Sequence, residues 1–205
     1  HLEKNIDEFL DQLEKASHHD PEMATSPYLL SLIIEVYKRE GTIPANRVEL
    51  YTKQVEGVVS RCLRRRIETE APVEESGGIE TLVHDIESLR VGDLTGEKAA
   101  LFLAIEFLEE LAFSCQMRDL TRDFKSKSCT VERLQGWRHG PETFRQVERL
   151  LFEKPEVGLL TSLANDEYRF SHLTIQEYLA ARCSLRLCGH VPKGLAGLFS
   201  IQKAA

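Results

Sequence analysis

Between Tyr168 and Arg182 the chain changes period almost without a break. Tyr168 and Phe170 alternate with Arg169 and Ser171, the pattern of a half-buried strand, while Ile175, Tyr178, Leu179 and Arg182 fall at helical spacing. The spacing predicts a strand that passes straight into a helix. Thr174, with Glu177 three residues on, predicts a capping box at the helix start. His172 falls in the gap between the two elements. There it lies beside unpaired backbone N–H groups and the positive end of a helix dipole, a setting that suits an anion such as a phosphate. The plainer alternative is a histidine that packs and hydrogen-bonds at a turn.

The elements before this stretch read as helices. Leu101, Ile105, Leu108 and Ala112 predict the buried face of a helix over 101–113, and the polar span 118–128 is expected to break it. Thr130 is placed to cap a short helix with Val131, Leu134 and Trp137, and Pro141 to open another with Phe144, Val147, Leu150 and Leu151. Residues 158–163 and 168–170 then flank a four-residue turn, Ala164 to Glu167. Three helices followed by a hairpin is the layout of a winged helix.

The first half is helical throughout. Leu2, Ile6, Phe9, Leu10 and Leu13 form one stripe. His18 and His19 before Pro21 invite a metal reading, but no third ligand stands at a recognisable spacing, and a solvated loop is the plainer one. Ser26 caps and Pro27 opens a helix that is apolar on most faces, and Gly41 is available to end it. Asn46 and Glu49 signal another cap, followed by a stripe of Val48, Tyr51, Val55, Val58, Val59 and Cys62. Arg61, Arg64, Arg65 and Arg66 close that helix, where the dipole favours cations; a nucleic-acid patch is the sharper alternative. Acids, Pro72 and the Gly77-Gly78 pair in 68–78 offer almost nothing to bury and suggest a boundary, after which Ile79, Leu82, Val83, Ile86 and Leu89 predict a short helix.

Three of these stretches carry a resemblance. Phe170-Ser171-His172-Leu173-Thr174-Ile175-Gln176-Glu177-Tyr178-Leu179-Ala180-Ala181 resembles the end of the winged-helix domain in NACHT-type signal-transduction NTPases, the group that includes the NOD-like receptors. Ser26-Pro27-Tyr28-Leu29-Leu30-Ser31-Leu32-Ile33 and Arg47-Val48-Glu49-Leu50-Tyr51 resemble the helical domain that precedes it. The resemblance implies a mainly α fold, a helical lid subdomain followed by a winged-helix subdomain with one β-hairpin. It places the lid at 1–67, a linker with a short helix at 68–95, the winged helix at 96–188 and the start of a further domain at 189–205. It further implies that Pro27 packs on the adenine ring and that His172 contacts the β-phosphate of ADP. In that reading a P-loop NTPase domain N-terminal to this region supplies the remaining nucleotide contacts, C-terminal repeats follow, and the active state is a homo-oligomer in the cytoplasm.

Composition bounds these expectations. A hydrophobic content of 42% and a charged content of 29% over 205 residues belong to an ordinary globular chain, and no apolar run approaches the roughly 18 residues of a membrane span. A chain that opens on His1 is expected to be part of a longer one. The net charge of −7 argues against a nucleic-acid coat, and five cysteines without a Cys-x-x-Cys pair suggest reduced thiols. The Gly-x-x-x-x-Gly-Lys-[Ser/Thr] loop that wraps phosphates is absent from the sequence, as are a Gly-x-Ser-x-Gly elbow and a His-Glu-x-x-His pair, so no catalytic or metal residue is assigned and the region itself is not expected to be an enzyme. Two other readings stand beside the regulatory one: a winged-helix DNA-binding protein that uses the helix at 141–153, and a purely structural helical adaptor.

Overall fold

Side-chain caps set the helices of the first half. The computed structural model describes residues 2–69, 86–121, 129–130, 139–152, 158–162 and 167–187, and the chain divides into two units, His1–Gly57 and Val58–Ala205. The first unit holds α1 (Leu2–His19), the single turn α2 (Glu22–Thr25), α3 (Pro27–Glu40) and the opening of α4 (Arg47–Thr69), the helix within which the division falls. Ser26 Oγ accepts from the Leu29 N–H at 3.4 Å, with Pro27 at the first helical position, where no amide is missed. Gly41 ends α3 in the left-handed region at φ 72°, and its N–H donates to the Tyr37 carbonyl. At the start of α4, Asn46 Oδ1 accepts from the Glu49 N–H at 3.0 Å, and the Glu49 carboxylate reaches back to the Ala45 N–H at 2.9 Å. Both caps were legible as residue types before any geometry.

The core of this unit is Ala16, Met23, Leu29, Leu32, Ile33, Val36 and Leu50, with Phe9, Leu13, Tyr28, Ile43 and Tyr51 packed against it. The expected stripe of α1 is only half used, since Ile6 and Leu10 are exposed. The stripe of α4 holds at Tyr51, Val55, Val58 and Val59, whereas Val48 is exposed and Leu50 is buried in addition. His18 and His19 stand in the last turn of α1, not on a loop, and both are exposed. At Gly57 the Arg39 guanidinium lies against the helix where a side chain would otherwise project, and Arg39 Nη2 donates to the Lys53 carbonyl at 2.6 Å.

The second unit is built along α5 (Gly96–Thr121). Ala99, Ala100, Leu103, Ala104, Ile105, Phe107, Leu108, Leu111, Ala112 and Cys115 are all buried, so α5 is covered on most faces, not along one stripe. It also runs through the start of the polar span expected to end it. Packed against it are α6 (Gly140–Phe152) and α7 (Leu173–Leu187). The winged-helix hairpin is present as β4 (Leu160–Ser162) and β5 (Glu167–Phe170), antiparallel with Leu160 opposite Phe170. Glu167 is therefore already in the strand, not in the turn. On its other side β5 pairs with β3 (Cys129–Thr130), which makes a three-stranded sheet of order β3-β5-β4. A second hairpin, β1 (Arg90–Val91) and β2 (Leu94–Thr95), turns on Gly92 at φ 56° just before α5. Gly92-Asp93 between apolar neighbours is a hairpin signal that helical spacing over 79–90 had masked. The helix expected at 131–137 lies outside the described residues, as do 70–85 of the expected linker and the segment 188–205.

Candidate functional site

The start of α7 is where strand, turn and helix meet. The Ser171 N–H donates to the Leu159 carbonyl at 2.9 Å, which ties the end of β5 to the approach of β4. Thr161 Oγ1 and Ser171 Oγ stand 3.4 Å apart on this edge, and both residues are exposed. The His172 carbonyl accepts from the N–H groups of Ile175 and Gln176, each at 3.2 Å. That pair of bonds makes His172 the residue flanking the helix, so the capping box expected at Thr174 and Glu177 is corrected. The helix begins at Leu173, and Thr174 stands inside its first turn. His172 itself is exposed, and the first turn of α7 carries no acidic residue that would oppose an anion there. Pro27, at the first position of α3, is exposed in the first unit.

The far end of α7 is different in kind. Arg182 and Arg186, one turn apart, face Glu106, Glu109 and Glu110 of α5. Arg182 Nε is 2.9 Å from Glu109 Oε1. Arg186 pairs with Glu106 through Nη1, and its Nη2 lies 3.3 Å from Glu110 Oε1 and 3.7 Å from Glu109 Oε2. His139 Nε2 hydrogen-bonds Glu106 Oε2 at 2.8 Å. The side chains of Glu106 and Glu109 are 2% and 5% exposed and that of Arg186 only 10%, so most of this layer is dry. Nearer the helix start the Gln176 amide donates to Gln116 Oε1 at 3.3 Å, so α7 runs antiparallel to α5 with polar contacts at both ends.

Burial pushes the Glu109 carboxyl above its ordinary value of 4.5, and the nearby Arg182 and Arg186 only partly offset this. Burial works against the Arg186 charge too, but Glu106 and Glu109 outweigh it and hold its pKa above the ordinary value. The Cys183 thiol, to which Arg186 Nη2 donates at 3.7 Å, is pushed up by burial, so it is a poor nucleophile. The Glu109 shift fixes the sign of a pH dependence. A carboxyl whose folded pKa exceeds its unfolded one binds its proton more readily in the folded state, so stability from this group rises as pH falls from the raised value towards 4.5. Relative to Glu109→Gln, the parent chain should therefore gain stability between neutral pH and about 4.5. Urea midpoints of the two chains at pH 7 and pH 5 check it.

None of this layer was visible as a layer in the sequence. The one-stripe reading of the helix gave the three glutamates no place, and Arg182 was one position among others at helical spacing. The only available signal was three acids at i, i+3 and i+4 inside an otherwise apolar helix.

Other candidate groups do not assemble. Among the described residues no group of three or more His, Cys, Asp or Glu is placed to hold a metal ion, and Cys62, Cys115 and Cys183 are not joined in disulfides. No helix among the described residues is long and apolar enough to cross a membrane. On α6, the helix a DNA-binding reading needs, Arg145 and Arg149 are exposed, but Arg145 Nη1 lies 3.8 Å from Glu142 and the face is of mixed charge.

Three helices on a small sheet, with the last helix leaving its central strand, define a winged-helix protein. The family described as the winged helix-turn-helix domain C-terminal to NACHT matches residues 47–184, more than half of the chain, and the chain belongs to that family. No curated protein and no solved structure gives a significant match.

Proposed function

We propose that this chain is the regulatory region of a NACHT-type NTPase, closing over ADP held by a P-loop domain N-terminal to it and restraining oligomerisation until the nucleotide contact is lost. The observation that carries the reading is His172, exposed at the start of α7 in a domain of the NACHT-associated family. A phosphate has to approach from outside this region, so a histidine that serves it must face outward. Pro27, exposed at the start of α3, is the matching residue for the base. A resting state of this kind is biased only by the difference in nucleotide affinity between closed and open forms. Without a P-loop the region by itself should neither hold ADP tightly nor hydrolyse ATP.

The test is His172→Ala in the parent protein with its NTPase domain. A hydrogen bond to a charged group contributes about 1.5–3 kcal/mol, so release of a fluorescent ADP should accelerate roughly 10- to 100-fold, and basal oligomerisation should rise. Fold stability should hardly change, because the residue is exposed. If instead the substitution unfolds the domain and leaves release from the folded fraction unchanged, His172 is a packing residue.

A further inference from the structure

The buried charges and the exposed histidine lie on one helix. His172 flanks the first turn of α7, and Arg186 stands 14 residues later, about 21 Å along the axis at 1.5 Å per residue. A helix of four turns is stiff over that distance, so whatever fixes its register at one end fixes the position of the other.

Apolar side chains can re-seat one turn along a neighbouring helix, whereas paired charges cannot. Ile175, Leu179, Ala180 and Cys183 of α7 are buried, and the register set by Gln176 with Gln116 and Arg186 with Glu106 lays them along the stretch of α5 that buries Leu108, Leu111, Ala112 and Cys115. Helices packed in this way shift by discrete steps of up to a turn in proteins that switch. The ion layer does not tolerate such a step. Arg186 is held by three carboxylates at once, and any displacement separates dry charges from their partners.

We infer that Arg182 and Arg186, locked into Glu106, Glu109 and Glu110, are positioning residues that hold α7 in the register which presents His172 to a nucleotide phosphate. The inference rests on the proposed role of His172 and adds how that contact is regulated. When the layer is intact, movement of α7 is opposed at the end remote from the nucleotide. When it is lost, the helix stays folded on α5 but is free to slide, and the phosphate contact weakens although no residue near the ligand has changed.

The experiment uses the parent protein with its NTPase domain and follows release of a fluorescent ADP from three variants. Glu106→Leu with Arg186→Met removes both partners of the central pair, so neither is left buried alone, and Glu109 keeps Arg182. We expect release about tenfold faster with an unchanged thermal midpoint. Adding His172→Ala to this pair should bring release to the rate of His172→Ala alone and no further, because both changes act on one contact. A purely structural layer would give additive effects. Glu110→Gln, at the most exposed of the three acids, serves if the double variant does not fold, and should give an acceleration of about threefold. Wild-type release from the folded layer variants, with His172→Ala still fast, overturns this inference and leaves the role of His172 standing. Wild-type release from His172→Ala itself overturns both.

Discussion

Arg186→Ala should cost the domain about 3–5 kcal/mol, among the largest effects of any single substitution in the chain. The size follows from what is left behind and not from what is removed. Glu106 and Glu109 are 2% and 5% exposed, and without Arg186 their carboxylates face a dry helix interface with only Arg182 and His139 nearby. A folded domain has a total stability of only about 5–15 kcal/mol, so chemical denaturation should show a large fall in midpoint. The ion pairs of the first unit set the scale for comparison. Lys53 with Glu40 and Arg47 with Glu22 are partly open to water, and a pair of this type contributes at most about 1 kcal/mol. If Arg186→Ala costs no more than Arg47→Ala, the layer is wet in solution and its grip on α7 is weak.

The legible parts of the fold are those set by local chemistry. Ser26, Gly41 and Asn46 act within four residues of themselves, so their roles could be read from residue type and spacing. The hairpin of β4 and β5 was likewise announced by alternation. What escaped was set at long range. Thr130 pairs with Glu167 in the sheet, and a two-residue strand is too short to show any period. Glu110 meets Arg186 across 76 positions of sequence, and nothing local tells a buried glutamate from a solvated one. The helix α5 was read from one stripe because the remaining buried positions include alanines, whose burial leaves little trace in a hydrophobic period. At the site, the outward place of His172 was readable, whereas the cap was misassigned by one element boundary. Thr174 and Glu177 have the residue types of a capping box, yet the bonds to the His172 carbonyl start the helix earlier.

Phe107→Ala should cost as much as Arg186→Ala, about 3–5 kcal/mol, through an unrelated mechanism. Phe107 is fully buried, and its ring sits 5.4 Å from that of Phe144 at an interplanar angle of 48°, which joins α5 to α6. Truncation removes that contact and leaves a cavity that close-packed neighbours fill only in part. Phe107→Leu, which keeps most of the buried volume, should cost roughly half as much. The position matters because Phe107 follows Glu106 directly, and successive residues of a helix point about 100° apart. One side chain therefore reaches α6 and the other reaches Arg186 on α7. The two alanine variants would be matched in stability but not in which interface they disturb. In the parent protein, below the temperature at which either variant unfolds, Arg186→Ala should speed ADP release and Phe107→Ala should not. Equal acceleration in both would mean that release follows the stability of the domain as a whole, and that the register of α7 has no separate part in it.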